Sequence, residues 1–241
     1  MNTPIDLNAD VGEGCGRDEA LFAAGITSAN VACGGHAGDE ATMVEACERC
    51  VRHGVSLGAH PGFADRERFG RVELPLDEAA LESLVREQVG ALRDVAARHG
   101  GGLIRHVKPH GALYHLLNRE ESLARSFVAA VRSVAPAASI FGPPRGRLRE
   151  AAFRTGTGFV SEGFIDRAYR SDGTLVPRAD PGACLADESE AVAQALRLAE
   201  RGGVDTLCVH GDGLEAARLL AAARRALGAA GFRIEAPVWT A

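Results

Sequence analysis

Ile5-Asp6-Leu7-Asn8-Ala9-Asp10-Val11-Gly12-Glu13 alternates apolar and polar side chains until a glycine breaks the pattern. A period of two is that of a β-strand, so Asp6, Asn8 and Asp10 share one face. If that face points into a closed barrel, its carboxylates enter a packed interior, which is costly unless they are paired or bind a cation. Apolar runs of strand length recur at 4–9, 27–33, 55–60, 103–108, 138–142, 158–164, 205–210 and 233–238. Amphipathic stretches of helix length lie between them at 40–53, 78–99, 120–134, 145–155, 187–201 and 213–230. Repeated β-α units of this kind predict a mainly parallel sheet. In an open doubly wound sheet a ligand is served by the few strand ends at the switch point. Here polar groups crowd six: Asn8 and Asp10, Asn30 and His36, His60, then His106, Lys108 and His110, Glu162 and Asp166, and finally His210 and Asp212. A closed or nearly closed barrel gathers all six around one pocket. The expectation is an irregular α/β barrel of seven or eight mainly parallel strands, one domain spanning 1–241.

The helix limits are written in the residues. Asp39 and Asp77 are placed as N-caps, and the helix after Asp77 repeats Leu81, Leu84, Val85, Leu92, Val95 and Ala96 on one face before Gly100-Gly101-Gly102 stops it. With 241 residues, 46% of them hydrophobic, the chain can bury a sizeable core. A net charge of −5 argues against nucleic acid or an anionic membrane as the main partner. Met1-Asn2-Thr3-Pro4-Ile5-Asp6 lacks the basic and apolar regions of a signal peptide, and no apolar run approaches the ~18 residues of a membrane span. A cytoplasmic location is expected. Cys47-Glu48-Arg49-Cys50 reads as mid-helix, whereas a redox C-x-x-C opens a helix, so packing is the expected role of these thiols.

The 27 basic residues comprise twenty-six arginines and one lysine, Lys108. A chain that uses arginine for generic positive charge keeps an ammonium where the wide guanidinium fork does not serve. Lys108 sits in Arg105-His106-Val107-Lys108-Pro109-His110-Gly111-Ala112-Leu113-Tyr114, where strand geometry points His106, Lys108 and His110 the same way. Clustered cations depress one another, predicting a neutral histidine or an amine of lowered pKa. A structural strand end with histidines bonded to backbone is the plainer reading, above all for His106, which lies deeper.

Asn30-Val31-Ala32-Cys33-Gly34-Gly35-His36-Ala37-Gly38-Asp39 presents His36 just before a helix, and Gly58-Ala59-His60-Pro61-Gly62 places another imidazole on a strand-end turn. Asp10 with His36, His60 or His110 could bind a divalent metal, although a salt-bridge network explains them equally and no compact zinc spacing is present. Asp166-Arg167 either pairs and orders the 165–187 loop or meets substrate. His210 and Asp212 form an acid/base pair or merely enter a helix. There is no phosphate loop of the G-x-x-x-x-G-K-[ST] type and no dinucleotide fingerprint after the first strand.

Taken in order, D-L-N-A-D-V-G-E-G, S-A-N-V-A-C-G-G-H-A-G-D, G-A-H-P-G, H-V-K-P-H-G-A-L-Y, D-R-A-Y and C-V-H-G-D resemble the LamB/YcsF family from about Ile5 to Leu227. The resemblance implies a barrel like those of glycoside hydrolases and deacetylases. It also implies the A component of a prokaryotic 5-oxoprolinase, which works with subunits B and C and consumes ATP and water as it converts 5-oxo-L-proline to L-glutamate. The matching positions are Asp10, Glu13, His36, Asp39, His60, Lys108, His110, Asp166, Arg167, His210 and Asp212. Departures fall at Gly35, where an aromatic is usual, at Gly163 and Ile165, and at Gly213-Leu214.

Opening a lactam requires an activated carbonyl carbon, a base for water, an acid for the ring nitrogen and cations for developing oxyanion charge. Lys108 suits the oxyanion or phosphate, and His110 or Asp10 suits the base, with His60 beside them. Asn8, Glu13, Asn30, His36, Glu162, Asp166, Arg167, His210 and Asp212 are the expected substrate-contacting set. Two other readings stand beside this one. One is a metal-dependent amidohydrolase or carbohydrate deacetylase that needs no ATP; the other is a non-catalytic scaffold for the partner subunits, which so many inward polar side chains disfavour.

Overall fold

The computed structural model describes residues 3–100 and 102–238. Met1 and Asn2 of the N-terminal reading and Gly101 of the glycine stop lie outside them. The strands are β1 (Pro4–Val11), β2 (Ser28–Ala32), β3 (Ser56–His60), β4 (His106–Val107), β5 (Ser139–Gly142), β6 (Phe159–Phe164), β7 (Thr206–Val209) and β8 (Arg233–Ile234). Strands β2 to β7 run side by side, and β1 joins β7 to β2, closing a seven-stranded parallel barrel. Strand β8 adds to the barrel from outside the ring, pairing Arg233 and Ile234 with Pro4 and Ile5 at the start of β1. The expected parallel α/β barrel is therefore the observed one.

The helices are α1 (Asp18–Ala24), α2 (Glu40–His53), α3 (Glu78–Arg98), α4 (Gly111–Arg119), α5 (Glu121–Val134), α6 (Arg147–Arg154), α7 (Glu188–Arg201) and α8 (Ala216–Ala229). Asp39 caps α2 in a reciprocal capping box with Thr42, and Asp77 caps α3 through the Ala80 amide. Cys47 and Cys50 are buried on α2, where burial pushes the Cys47 thiol up to about 11 and the Cys50 thiol higher still, which suits packing rather than thiolate chemistry. None of the described helices is long and apolar enough to cross a membrane.

Two helices and two strands differ from expectation. The sequence pattern predicts strand over 103–108, yet only His106 and Val107 pair, because Gly100 and Gly102 both take positive φ and Pro109 cannot donate to a ladder. The last strand likewise contracts from 233–238 to two residues. Helices α1 and α4 are additional. In α4 the chain turns at Gly111, whose φ is +53° and whose position leaves no room for a Cβ against the Gly70 carbonyl.

Odd-numbered β1 residues Ile5, Leu7, Ala9 and Val11 are buried in the main apolar cluster with the helices. Even-numbered Asp6, Asn8 and Asp10 enter a barrel lumen that is polar at every level. Lowest, Asp6 accepts hydrogen bonds from the hydroxyls of Thr27 at 2.6 Å, Ser28 at 2.8 Å and Thr206. Above it, Asn8 donates to Thr206 Oγ1 at 2.7 Å and accepts from Asn30 Nδ2 at 2.7 Å, while His106 Nε2 meets Asn30 Oδ1 at 2.8 Å. The His106 ring stacks on Phe141 and overlies Gly58, where a Cβ would overlap it. As expected, His106 lies deeper than Lys108 and His110, in this structural layer.

Candidate active site

The uppermost layer of the lumen opens into a cavity of about 230 Å³ walled in part by Asp10, His60, Lys108, His110, Tyr114, Phe164, Leu175, Pro177 and His210. At its floor Lys108 Nζ lies 2.9 Å from Asp10 Oδ1, 2.9 Å from Glu162 Oε1, 3.0 Å from Cys208 Sγ and 3.4 Å from Asn8 Oδ1. Burial alone would lower the ammonium's pKa, but Asp10, Cys208 and Glu162 raise it well above the usual lysine range. The expected amine of lowered pKa is therefore overturned: its nearest charges are anions from β1 and β6, while the histidines lie farther off. Burial alone would likewise raise Asp10, yet His60 and Lys108 hold it well below the ordinary carboxylate range. Asn30 Nδ2 adds a hydrogen bond to Asp10 at 2.9 Å.

Beside this pair, ring geometry fixes the protons of two histidines. His60 Nδ1 lies 2.7 Å from the Lys108 carbonyl and His110 Nε2 lies 2.9 Å from the Phe69 carbonyl. A carbonyl only accepts, so both of those nitrogens carry hydrogen. The remaining nitrogens, His60 Nε2 and His110 Nδ1, face each other at 3.0 Å. Two lone pairs at that distance need a cation between them, either a shared proton or a metal ion. His60 Nε2 is also 3.5 Å from Asp10 Oδ1, and His110 Nδ1 is 3.7 Å from Glu13 Oε1. Burial and the neighbouring His36 and His60 hold His110 well below the ordinary histidine range, as burial and His60 do for His36, so the neutral-histidine expectation holds for these two. Burial, with Asp10 and Asp212 nearby, pushes Glu13 up.

Glu13, His36, His60 and His110 bring one ligand atom each within 4.8 Å of one another. Asp10, expected among the metal candidates, stands outside this group, with its oxygen committed to Lys108. His36 and His110 stack with centroids 3.6 Å apart and planes 1° from parallel. Parallel rings cannot both aim in-plane lone pairs at one ion. The donor set that fits a divalent cation is thus His60, His110 and Glu13, nitrogen and oxygen ligands of the kind such ions take.

At the mouth, two pairs read from sequence come apart. Asp166 does not pair with Arg167, since consecutive residues of extended chain point to opposite sides. Its carboxylate instead takes the His210 amide at 2.9 Å and lies 3.0 Å from His210 Nδ1. Arg167 spends its guanidinium on the carbonyls of Ala183 and Val176, ordering the 165–187 segment. His210 and Asp212 do not form an acid/base pair either: Asp212 is held by Arg71 and by Arg178, whose Nη2 is 2.8 Å from both carboxylate oxygens. At Gly35, where a Cβ would overlap Gln88, the Gln88 amide fills the space and bonds both the amide and the carbonyl of Gly62.

Arg71, Arg178, Tyr114, Phe164 and Cys208 were not singled out as site residues by sequence reasoning. The two arginines look like any of twenty-six; Cys208 and Phe164 could have been found from strand phase, since they share a face with Thr206 and Glu162 respectively.

The family model for the LamB/YcsF family matches residues 5–240. Among solved structures, the chain is similar to a lactam utilization protein from Thermus thermophilus, with 38% identity, a TM-score of 0.88, and coverage of 98% of this chain and 100% of that one. It shares its fold with the catalytic domain of a peptidoglycan N-acetylglucosamine deacetylase from Eubacterium rectale, at 10% identity and TM-score 0.57 over 100% and 91% of the two chains. The peptidoglycan deacetylase PdaC from Bacillus subtilis aligns at 11% identity and TM-score 0.53 over 98% and 87%. With the family pattern running through nearly every strand end that builds this cavity, the chain belongs to the LamB/YcsF family.

Proposed function

We propose that this chain opens the ring of 5-oxo-L-proline hydrolytically to L-glutamate, in an ATP-consuming reaction, as the A component of an enzyme completed by subunits B and C. The observation that carries this reading is the Lys108 ammonium, fixed by Asp10 and Glu162 at the floor of a small cavity beside the His60–His110 pair. The family, and a lactam utilization protein at 38% identity, support it.

Phosphorylation of the amide oxygen by ATP makes that oxygen a leaving group, and Lys108 is placed to hold its charge. Asp10, held strongly ionised, is a weak base; its part is to fix Lys108. One water adds to the activated carbon as the His60–His110 pair gives its shared proton to the ring nitrogen and takes the water's proton in its place. The C–N bond then breaks, and a second water releases phosphate. A cavity of about 230 Å³ is smaller than the ~300–1,000 Å³ of sites that enclose drug-sized ligands, so it suits the lactam and leaves nucleotide handling to the partners. His60, His110 and Glu13 would hold a divalent ion, which supplies Lewis-acid polarisation of a carbonyl when bound.

That donor set favours a second reading, metal-dependent amide or acetyl hydrolysis without ATP. The deciding experiment measures ADP and glutamate released from 5-oxoproline by the chain alone and with subunits B and C. The first reading predicts coupled release only with the partners. Stoichiometric metal together with ATP-independent amide cleavage by the chain alone would replace it with the second.

A further inference from the structure

The mouth of the same cavity carries charges that the ring-opening chemistry leaves unused. Arg71, on the loop after β3, and Arg178, on the segment between β6 and α7, both line the cavity and converge on the single carboxylate of Asp212. Two guanidiniums against one carboxylate leave one positive charge in excess. Their side chains are 35% and 29% exposed, so the excess faces the cavity and solvent. Each guanidinium has five N–H donors, and among the described residues Asp212 engages only Nη2 of each.

Both arginines are held in place by their surroundings. The Arg71 guanidinium lies 4.8 Å over the Phe69 ring. Phe69 is the only described non-glycine residue with positive φ, +56°, a conformation a bulky side chain adopts only when its surroundings impose it. The same residue gives its carbonyl to His110, so the Arg71 platform and the histidine pair share one strained support. Arg178 follows Val176, whose carbonyl Arg167 grips. The other rim carboxylate, Asp166, is taken by His210. At the floor the Lys108 ammonium is already met by two carboxylates, Asp10 and Glu162. Between floor and mouth the wall includes the apolar side chains of Phe164, Leu175 and Pro177.

The geometry points to Arg71 and Arg178 as the clamp that reads the carboxylate of a small monoanionic lactam, with Asp212 positioning both guanidiniums. The cationic mouth takes the carboxylate, whereas the Lys108 ammonium below is already met by Asp10 and Glu162, and the substrate therefore enters with its amide toward Lys108 and His110. This assignment deepens the lactam reading and rests on it. It makes the clamp the determinant of specificity for carboxylated lactams over uncharged ones.

Equilibrium binding to the full chain, by calorimetry without ATP, tests it with two ligands: 5-oxo-L-proline and 2-pyrrolidinone, the same ring without the carboxylate. Wild type should prefer 5-oxoproline by about tenfold or more, the scale of charge-assisted hydrogen bonds. Arg71→Gln and Arg178→Gln should each remove most of that preference, and Arg71→Lys should restore only part of it, with thermal midpoints reporting that the variants are folded. If 5-oxoproline binds and the arginine variants keep the full preference, the clamp is overturned while the lactam reading stands. If neither lactam binds but acetate does so in an arginine-dependent way, the clamp stands and the lactam reading falls. Inorganic phosphate displacing 5-oxoproline far better than acetate would overturn the carboxylate assignment in favour of a phosphoryl group.

Discussion

Asp6 and Asp10 stand four residues apart on the same face of β1, both buried in the barrel lumen, and their surroundings treat them oppositely. Asp6 is met only by neutral hydroxyls from β2, β7 and the loop before β2; burial outweighs them and pushes its carboxyl up to about 6. Asp10 suffers the same burial, yet the charges of His60 and Lys108 hold it well below the usual range. Hydroxyls make the lower site a strut that tolerates a proton. Neighbouring cations keep the upper site an anion, and that anion in turn pins the ammonium facing the cavity. One lumen thus carries a structural end and a chemical end, and the sign of the pKa shift tells them apart.

The largest expected effect is at Lys108, where the two roles meet. Lys108→Met strands Asp10 and Glu162 in the interior, which should cost about 3–5 kcal/mol of stability at pH 7, the scale of a broken buried ion pair. Urea unfolding should show that deficit shrinking as pH falls and the carboxylates take protons. Lys108→Arg keeps the charge but brings a wider group into a cage of Asn8, Asp10, Glu162 and Cys208; turnover should fall by about 100-fold or more, as when an oxyanion donor is lost. An arginine variant with near wild-type turnover removes Lys108 from the chemistry.

Asp10→Asn and Asp6→Asn should give opposite pH dependences. A depressed folded pKa, as at Asp10, contributes stability that is present above the unfolded value near 3.8 and is lost as pH falls through the folded value. Asp10→Asn is therefore less stable than wild type at pH 7, by about 1–3 kcal/mol, and the gap closes in acid. A raised folded pKa, as at Asp6, contributes stability present below about 3.8 and lost as pH rises through about 6. Asp6→Asn should gain about 3 kcal/mol relative to wild type between pH 4 and pH 8, from roughly two pKa units at 1.36 kcal/mol each. Parallel pH profiles for the two variants would mean that both carboxylates serve the same structural purpose. A smaller effect is expected from Gly58→Ala: the new methyl meets the His106 ring, and overpacking of this kind costs about 1–3 kcal/mol in denaturation, with the Asn30–His106 layer disturbed.

Alternation along Ile5–Val11 made the inward placement of Asp6, Asn8 and Asp10 legible in the sequence, and polar residues at six strand ends made closure legible. Neither pattern distinguishes the environments of Asp6 and Asp10, because the Thr27, Ser28 and Thr206 hydroxyls and the Lys108 ammonium arrive from strands and loops far along the chain. Local charge counting placed Lys108 among histidines and so reversed its shift; the deciding anions come from β1 and β6 across the lumen. The Asp166-Arg167 and His210/Asp212 pairings failed for a related reason, since sequence neighbours at a strand end turn to different partners. Helix α4 was hidden because its first turn is the same H-G-A-L-Y motif that reads as a strand end. The Arg71–Arg178 convergence on Asp212 joins three separate loops, and no local pattern records it.

Glutamate release from 5-oxoproline, with ATP and subunits B and C, compares the two ends of the lumen when wild type, Asp6→Asn and Asp10→Asn are measured side by side. Asp6→Asn should retain most of its turnover while folded Asp10→Asn loses about 100- to 1,000-fold, the scale of a lost electrostatic partner in a water-poor site. Equal turnover by the two variants, both folded, would contradict the division of the lumen into a structural end and a chemical end.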